Sequence, residues 1–259
     1  MITKFCHIGS LGSYSYLTQF SKIHLFLAPL ALHDSAYSKY FSTKSNEGNY
    51  TILDTGALEL SLGTEQVELR DQHFLEMACD LYANEIVCPD EPLNPQSSLR
   101  RSLSFVKGYK ALKDYQKPNI MFVPQGTNIK EWLCNFEILY KEIPNGTVGI
   151  PRLLSEKYHS TEQNIRINIS KILKKKFKNI QIHFLGAGRL FLHELELIKK
   201  SDGLIRSIDT SFLHRYAFSN QDPKTIYAKP VPMRNKLLPK DYRININNLH
   251  KIFLSDTYV

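Results

Sequence analysis

Three aspartates in this chain stand where a strand-like run of apolar residues ends. They are Asp54, Asp90 and Asp209. Carboxylates that meet at one place can serve as nucleophile and as general acid or base, and cleavage of a glycosidic bond uses that pair of roles. Each aspartate also has a purely structural interpretation. Asp209, in Asp-Thr-Ser, suits a helix N-cap, and the other two suit turns.

Three further segments place an amide or glycines at the same kind of junction. They are Gln125-Gly126, Gly149 with the Ile-Pro-Arg that follows it, and Leu185-Gly186. A glutamine amide can hydrogen-bond the edge of a nucleobase, and glycine lets a flat ligand approach the backbone closely. The alternative for each segment is an ordinary tight turn between a strand and a helix.

The elements that would position these residues alternate between strands and helices. Amphipathic helices are predicted at Val67–Tyr82, Ile129–Tyr140 and Thr161–Phe177. Eight strands are predicted, at Lys4–Ile8, His24–Ala28, Tyr50–Asp54, Glu85–Pro89, Asn119–Val123, Thr147–Ile150, Gln181–Leu185 and Gly203–Ile208. This alternation indicates a parallel sheet, and eight strands in 259 residues predict an α/β fold of the (β/α)8 TIM-barrel type, with its chemistry at the strands' carboxyl ends.

The predicted barrel spans residues 1–220, and a basic C-terminal extension, residues 221–259, is expected to pack on or beside it. The net charge of +8 suits contact with a polyanion. The stretch Gln163–His193 contains no acidic residue and carries Arg166, Lys174, Lys175, Lys176 and Arg189. We interpret it, together with the tail, as a phosphate-binding surface beside the barrel mouth; the alternative is a solvated outer helix face.

No metal site is readable in the sequence. The four cysteines form no CxxC pair, and none of the nine histidines pairs at a metal-ligand spacing. His183 lies inside a strand pattern, which is typical of a buried histidine with satisfied hydrogen bonds. The sequence shows neither a signal-peptide core nor an apolar run of membrane-spanning length, so a cytoplasmic protein without membrane contact is expected.

Taken in order, these segments resemble the tRNA-guanine transglycosylase superfamily, and especially its phage branch of DNA-guanine transglycosylases that insert 7-deazaguanines. The resemblance runs from about Ile23 to Ser211. It rests on the order and spacing of Asp54-Thr55-Gly56-Ala57, Pro89-Asp90, Val123-Pro124-Gln125-Gly126, Gly149-Ile150-Pro151-Arg152, Leu185-Gly186 and Arg206-Ser207-Ile208-Asp209-Thr210-Ser211.

The resemblance implies a base exchange in DNA. Asp209 matches the nucleophile and Asp54 the general acid/base. The positions that match those holding the exchanged base are Asp90, Gln125-Gly126, Gly149 and Leu185-Gly186. The implied partners are DNA and a free 7-deazaguanine base as co-substrate. On charge, the residues expected to contact the nucleic acid are Lys174, Lys175, Lys176, Arg189 and Arg206. No cofactor is implied, a homodimer or partner subunit stays open, and a phage-encoded chain would work in the host cytoplasm.

Two features depart from the family's pattern. The family's tRNA enzymes carry a cysteine-rich zinc site after the nucleophile, whereas no cysteine follows Cys134 here. Leu58 stands where the family often stacks an aromatic ring. The first departure favours DNA over tRNA. The remaining alternatives are the same exchange on tRNA, a catalytically inactive nucleic-acid-binding barrel, and an ordinary glycoside or nucleoside hydrolase.

Overall fold

The computed structural model describes residues 3–57, 69–92, 94–113, 117–152, 154, 165–187, 191–201, 203–221, 231 and 234–253. Within them lie eight strands: Lys4–His7 (β1), Ile23–Leu27 (β2), Tyr50–Asp54 (β3), Glu85–Val87 (β4), Asn119–Phe122 (β5), Thr147–Pro151 (β6), Gln181–Leu185 (β7) and Ser207–Thr210 (β8). All the pairings are parallel, in the order β1-β8-β7-β6-β5-β4-β3-β2.

Helices alternate with these strands. In chain order they are Tyr14–Leu17 (α1, followed by a 3-10 turn at Thr18–Phe20), Ala28–His33 (α2), Ser35–Asn46 (α3), Asp71–Asp80 (α4), Pro95–Ala111 (α5), Ile129–Glu142 (α6), Ile165–Lys176 (α7), Phe191–Lys199 (α8), Phe212–Ser219 (α9) and Tyr242–Phe253 (α10). Because β1 also lies beside β2, the sheet forms a nearly closed barrel. The predicted (β/α)8 TIM-type barrel is therefore confirmed, as a single domain.

Local sequence explains where several helices begin. The Oδ1 atoms of Asp34, Asn94 and Asn128 accept hydrogen bonds from backbone N–H groups three residues on, which caps α3, α5 and α6. Pro95, in the first turn of α5, needs no hydrogen-bond partner for its nitrogen. Of the predicted helices, residues 67–68 and 161–164 lie outside the described part of the chain.

The last strand differs from its prediction. The apolar run suggested Gly203–Ile208, but β8 begins at Ser207 and ends at Thr210. Gly203 has a φ of 68°, and the amide of Leu204 donates to the carbonyl of Ser201, so the start of the run is a turn. Asp209 consequently lies inside the strand rather than after it.

The described part of the C-terminal extension shares the barrel's core. Helix α10 packs on α9, and its Tyr242, Ile246 and Leu249 are buried. The hydroxyl of Tyr242 lies 2.9 Å from Nδ1 of His214 on α9. This extension is thus attached through both apolar contacts and a buried polar contact.

Candidate active site

The two candidate catalytic aspartates lie at the same end of the barrel. Asp54 is the last residue of β3, and Asp209 is the third of four residues in β8. Because the strands are parallel, both positions belong to the carboxyl-terminal mouth, where barrels of this type carry their chemistry.

Strand alternation directs both side chains towards the barrel interior. Ser207 and Asp209, two residues apart on β8, both contact His183 of β7. Tyr50 is four residues before Asp54 and therefore lies on the same face of β3. The ring of Tyr50 lies under the guanidinium of Arg206. Arg206 also contacts Glu85 of β4 and Thr147 of β6. A group that contacts β3, β4 and β6 at once lies inside the barrel.

One oxygen of Asp209 is firmly held. Its Oδ1 accepts a hydrogen bond from the backbone N–H of Gly186 over 2.8 Å and lies 3.1 Å from Nε2 of His183. Asp209 itself is buried. Gly186 has a φ of 71°, a backbone conformation that favours glycine, and this turn brings its amide to the carboxylate. The sequence predicted both Asp209 and Gly186, and the structure brings them into direct contact.

His183 was predicted as a buried histidine with satisfied hydrogen bonds, and it is one: its side chain is fully buried. Its Nδ1 lies 2.7 Å from Oγ of Ser207, and that Oγ accepts from Nε of Arg206 over 3.1 Å. What sequence reasoning missed is the contact with Asp209. The only available signal was the alternation that puts His183 on the inner face of its strand.

Asp54 combines a turn role with its place at the mouth. Its Oδ1 accepts from the amide of Gly56 over 2.8 Å, and Gly56 has a φ of 73°. The side chain is partly exposed, in contrast to that of Asp209. The turn interpretation and the catalytic one are therefore compatible. Leu58, the other residue singled out in this loop, lies outside the described residues.

Asp90 and Gln125, predicted separately, form a buried pair. Nε2 of Gln125 donates to Oδ2 of Asp90 over 2.8 Å. The backbone carbonyl of Gln125 accepts from Nδ2 of Asn135 over 2.8 Å. Burial raises the pKa of Asp90 to about 6, against the opposing effect of the hydrogen bond from Gln125. The pair offers a carboxyl group and an amide with fixed orientation.

The other predicted glycines serve close packing. A methyl group at Gly126 would lie 2.5 Å from the backbone nitrogen of Trp132, so this glycine lets the loop lie against α6. A methyl group at Gly149 would lie 2.7 Å from Cδ1 of Leu185. The predicted residues Gly149 and Leu185 are therefore in contact, and Gly149 pairs in register with His183.

An arginine from the acid-free stretch supports the site from behind. Arg166 is buried, and its Nη1 donates to the carbonyls of Ile150, Leu185 and Gly186 at 3.2, 3.3 and 2.9 Å. Its guanidinium also forms two hydrogen bonds with the carboxylate of Glu194. Arg166 therefore ties together the ends of β6 and β7. The sequence interpretation counted it among the phosphate contacts, and its burial overturns that.

Arg206 lies at the opposite end of the barrel from the mouth. Its Nη2 is 2.7 Å from Oε2 of Glu85, and its Nη1 donates to Oγ1 of Thr147 over 3.1 Å. Glu85 and Thr147 are the first residues of β4 and β6, and Arg206 immediately precedes β8. Arg206 thus fills the amino-terminal end of the barrel interior. It does not reach a nucleic-acid surface at the mouth.

Three predicted phosphate contacts also lie away from the mouth. Lys174, Lys175 and Lys176 are the last residues of α7, which leads into the amino-terminal end of β7. Lys176 pairs with Glu137 on α6. Their expected place beside the mouth is wrong, because a barrel helix runs opposite to the strands and ends at the far side. Arg189 lies outside the described residues.

The fold and these contacts define a class of site, an inward-facing set of carboxyl groups at the mouth of a (β/α)8 barrel. Comparison with models of known protein families and with curated proteins finds no match for this chain. Within the described ranges, no group of three or more His, Cys, Asp or Glu side chains is arranged to hold a metal ion. In the same ranges, no helix combines the length and apolar character needed to cross a membrane.

Proposed function

We propose that this chain is a transglycosylase that exchanges guanine in DNA for a 7-deazaguanine base through a covalent aspartyl intermediate. The observation that carries the proposal is the shared mouth of Asp54 and Asp209, with one oxygen of Asp209 fixed by two neighbours. A fixed, buried carboxylate suits a nucleophile, and a second, partly exposed one suits proton exchange.

The reaction needs only these two groups at the reacting atoms. Asp209 attacks C1′ of the target deoxyguanosine, the C1′–N9 bond breaks, and Asp54 donates a proton to N9 of the departing guanine. The incoming base then attacks C1′ through N9 and gives its proton to Asp54, and the bond to Asp209 breaks. Two inversions at C1′ retain its configuration.

The Asp90–Gln125 pair is suited to holding the base. Guanine presents two donors, N1–H and N2–H, beside one acceptor, O6. An ionised Asp90 accepts from the donors, and Gln125, which uses one amide hydrogen on Asp90, keeps a second for O6. A 7-deazaguanine has the same edge, so one pocket serves both the leaving and the entering base.

DNA has to present its base at a barrel mouth, so the target nucleotide is flipped or single-stranded. The net charge of +8 favours binding to the phosphates. Since Lys174–Lys176 lie at the other end, the phosphate contacts at the mouth fall to basic residues that follow strands there. Arg152 after β6 and Arg215 in the first turn of α9 are such residues.

The decisive experiment is mass spectrometry of nucleosides from DNA incubated with the protein and free 7-deazaguanine bases, with tRNA in a parallel reaction. Exchange in DNA is expected. Asp209→Asn should abolish it, and Asp54→Asn should slow it by about 10²–10⁴-fold. Exchange in tRNA alone would redirect the proposal to that substrate. Binding without exchange in either would indicate an inactive nucleic-acid-binding barrel.

A further inference from the structure

A single line of polar side chains crosses the barrel from its amino-terminal end to the mouth. It runs from Arg206, paired with Glu85, through Ser207 and His183 to Asp209. We propose that this line holds His183 as the neutral tautomer with its proton on Nε2, which makes His183 the positioning residue of Asp209 and leaves Oδ2 of Asp209 as the attacking oxygen. The catalytic part of this inference rests on the proposed base exchange.

The direction of the hydrogen bonds follows from their first member. Nε of an arginine can only donate, so Oγ of Ser207 accepts from Arg206. The single hydroxyl hydrogen of Ser207 is then directed to Nδ1 of His183, 2.7 Å away. A ring whose Nδ1 accepts carries its proton on Nε2, and this Nε2–H points at Oδ1 of Asp209 over 3.1 Å.

A doubly protonated ring fits these contacts less well. Nδ1 would then donate to Ser207 as well, and Oγ of Ser207 would receive two hydrogen bonds while its own hydrogen, in a fully buried residue, lost His183 as its acceptor. Buried hydroxyl groups without an acceptor are costly. The neutral tautomer gives the hydroxyl of Ser207 and the ring N–H of His183 one acceptor each.

The line also distinguishes the two oxygens of Asp209. Oδ1 accepts hydrogen bonds from the backbone N–H of Gly186 and the ring N–H of His183, whereas no described residue donates a hydrogen bond to Oδ2. In the first step Oδ2 forms the bond to C1′ as the C1′–N9 pair of electrons passes to the base. In the second step N9 of the incoming base supplies the electron pair for its bond to C1′, the pair of the C1′–Oδ2 bond returns to Oδ2, and the donors on Oδ1 stabilise the departing carboxylate.

Two readouts test the proposal, and the first needs no activity. In ¹⁵N NMR of the intact protein, the ring of His183 should show a protonated Nε2 and an unprotonated Nδ1. Ser207→Ala removes the donor to Nδ1 and should weaken that preference, although Asp209 still accepts from Nε2. Ser207→Thr, which keeps a hydroxyl, should preserve it. A wild-type ring protonated on Nδ1, or on both nitrogens at neutral pH, overturns the proposal.

The second readout is kinetic. His183→Phe removes the donor and keeps the ring's bulk, and it should lower kcat by about 10- to 100-fold with the KM for the free base nearly unchanged. His183→Gln, which can still present an N–H, should recover most of this loss. A folded His183→Phe variant with wild-type kcat would overturn the positioning role. If the wild type itself exchanges no base, the proposed function fails, and the NMR measurement still decides the tautomer.

Discussion

Arg166 and Asp209 both form hydrogen bonds with the backbone of Gly186, one with its carbonyl and the other with its amide. Nη1 of Arg166 donates to the carbonyl of Gly186 over 2.9 Å, while the amide of Gly186 donates to Oδ1 of Asp209 over 2.8 Å. The buried ion pair of Arg166 with Glu194 thus fixes the turn that supplies one of the two donors to the carboxylate. The turn that holds Asp209 is therefore supported by a buried residue that does not contact Asp209 itself.

Replacing Arg166 should cost both stability and activity. Arg166→Gln leaves Glu194 without its cation and removes the guanidinium hydrogen bonds to three carbonyls, so the free energy of unfolding should fall by about 3 kcal/mol. The matched control is Lys176→Gln, which breaks the exposed pair with Glu137 and should leave stability nearly unchanged. Urea denaturation gives the free energy of unfolding of each variant. Equal, small losses would contradict a supporting role for Arg166.

Asp90 should make stability depend on pH in an unusual direction. Burial raises the pKa of Asp90 to about 6 from its ordinary value of 3.8, so between these values the folded protein binds more protons than the unfolded one. This group's contribution to stability is therefore complete below about pH 4 and is lost as the pH rises through about 6.

The test compares wild type with Asp90→Asn, which has no proton to lose. The difference in free energy of unfolding between the two should change by about 2 kcal/mol from pH 4 to pH 7, with the wild type losing stability as the pH rises. Denaturation at several pH values gives this difference directly. A constant difference would mean that the carboxyl group titrates normally in the folded protein.

Gly149 and Gly108 should respond to alanine with opposite signs. At Gly149 the new methyl group would meet Cδ1 of Leu185 at 2.7 Å and side-chain atoms of Met121 and Val123 at 3.2 Å, so these side chains would have to shift, at about 1 kcal/mol. At Gly108, exposed in the last turn of α5, the nearest atom is an ordinary 3.7 Å away, and alanine should stabilise the helix by about 0.5 kcal/mol. Thermal unfolding of the two variants measures these changes in stability. A Gly108→Ala variant that is less stable than the wild type would contradict the predicted difference in sign.

The basic end of α7 should be dispensable for DNA binding. Replacing Lys174, Lys175 and Lys176 together by Glu should leave the affinity for single-stranded DNA, and its dependence on salt, almost unchanged apart from a small long-range charge effect. Arg152→Gln, at the mouth, should weaken binding and reduce the salt slope. Titrations at two salt concentrations separate the two. A steep loss in the triple variant would place the phosphate surface at the far end.

Most of the fold was accessible from the sequence because its strands are short apolar runs bounded by breakers. Seven predicted strands lie within two residues of the observed ones at either end. The exception is β8, because the apolar residues Leu204 and Ile205 lie in the segment before the strand. Hydrophobicity cannot distinguish a buried turn from a buried strand when the polar pair Arg206-Ser207 lies between them.

The site was accessible only in part. Residues at strand ends could be placed at one mouth, because parallel strands share an end. Contacts such as His183 with Asp209, or Arg206 with Glu85, depend on which residues face each other across neighbouring or opposite strands. That register is set by packing of the whole barrel, and residues 121 positions apart in the chain carry no local sign of it.

The placement of Asp209 inside β8 has a consequence for redesign. Its backbone is in register with Cys6 of β1, and its side chain is tied to the end of β7, so the segment after Thr210 does not determine where the carboxylate lies. The loop that follows β8 could therefore be exchanged or lengthened without moving the carboxylate, whereas the turn at Gly186 after β7 has to be kept. The carboxylate of Asp209 would keep its coordinates while its surroundings changed, which makes this barrel a practical scaffold for redesigning the mouth.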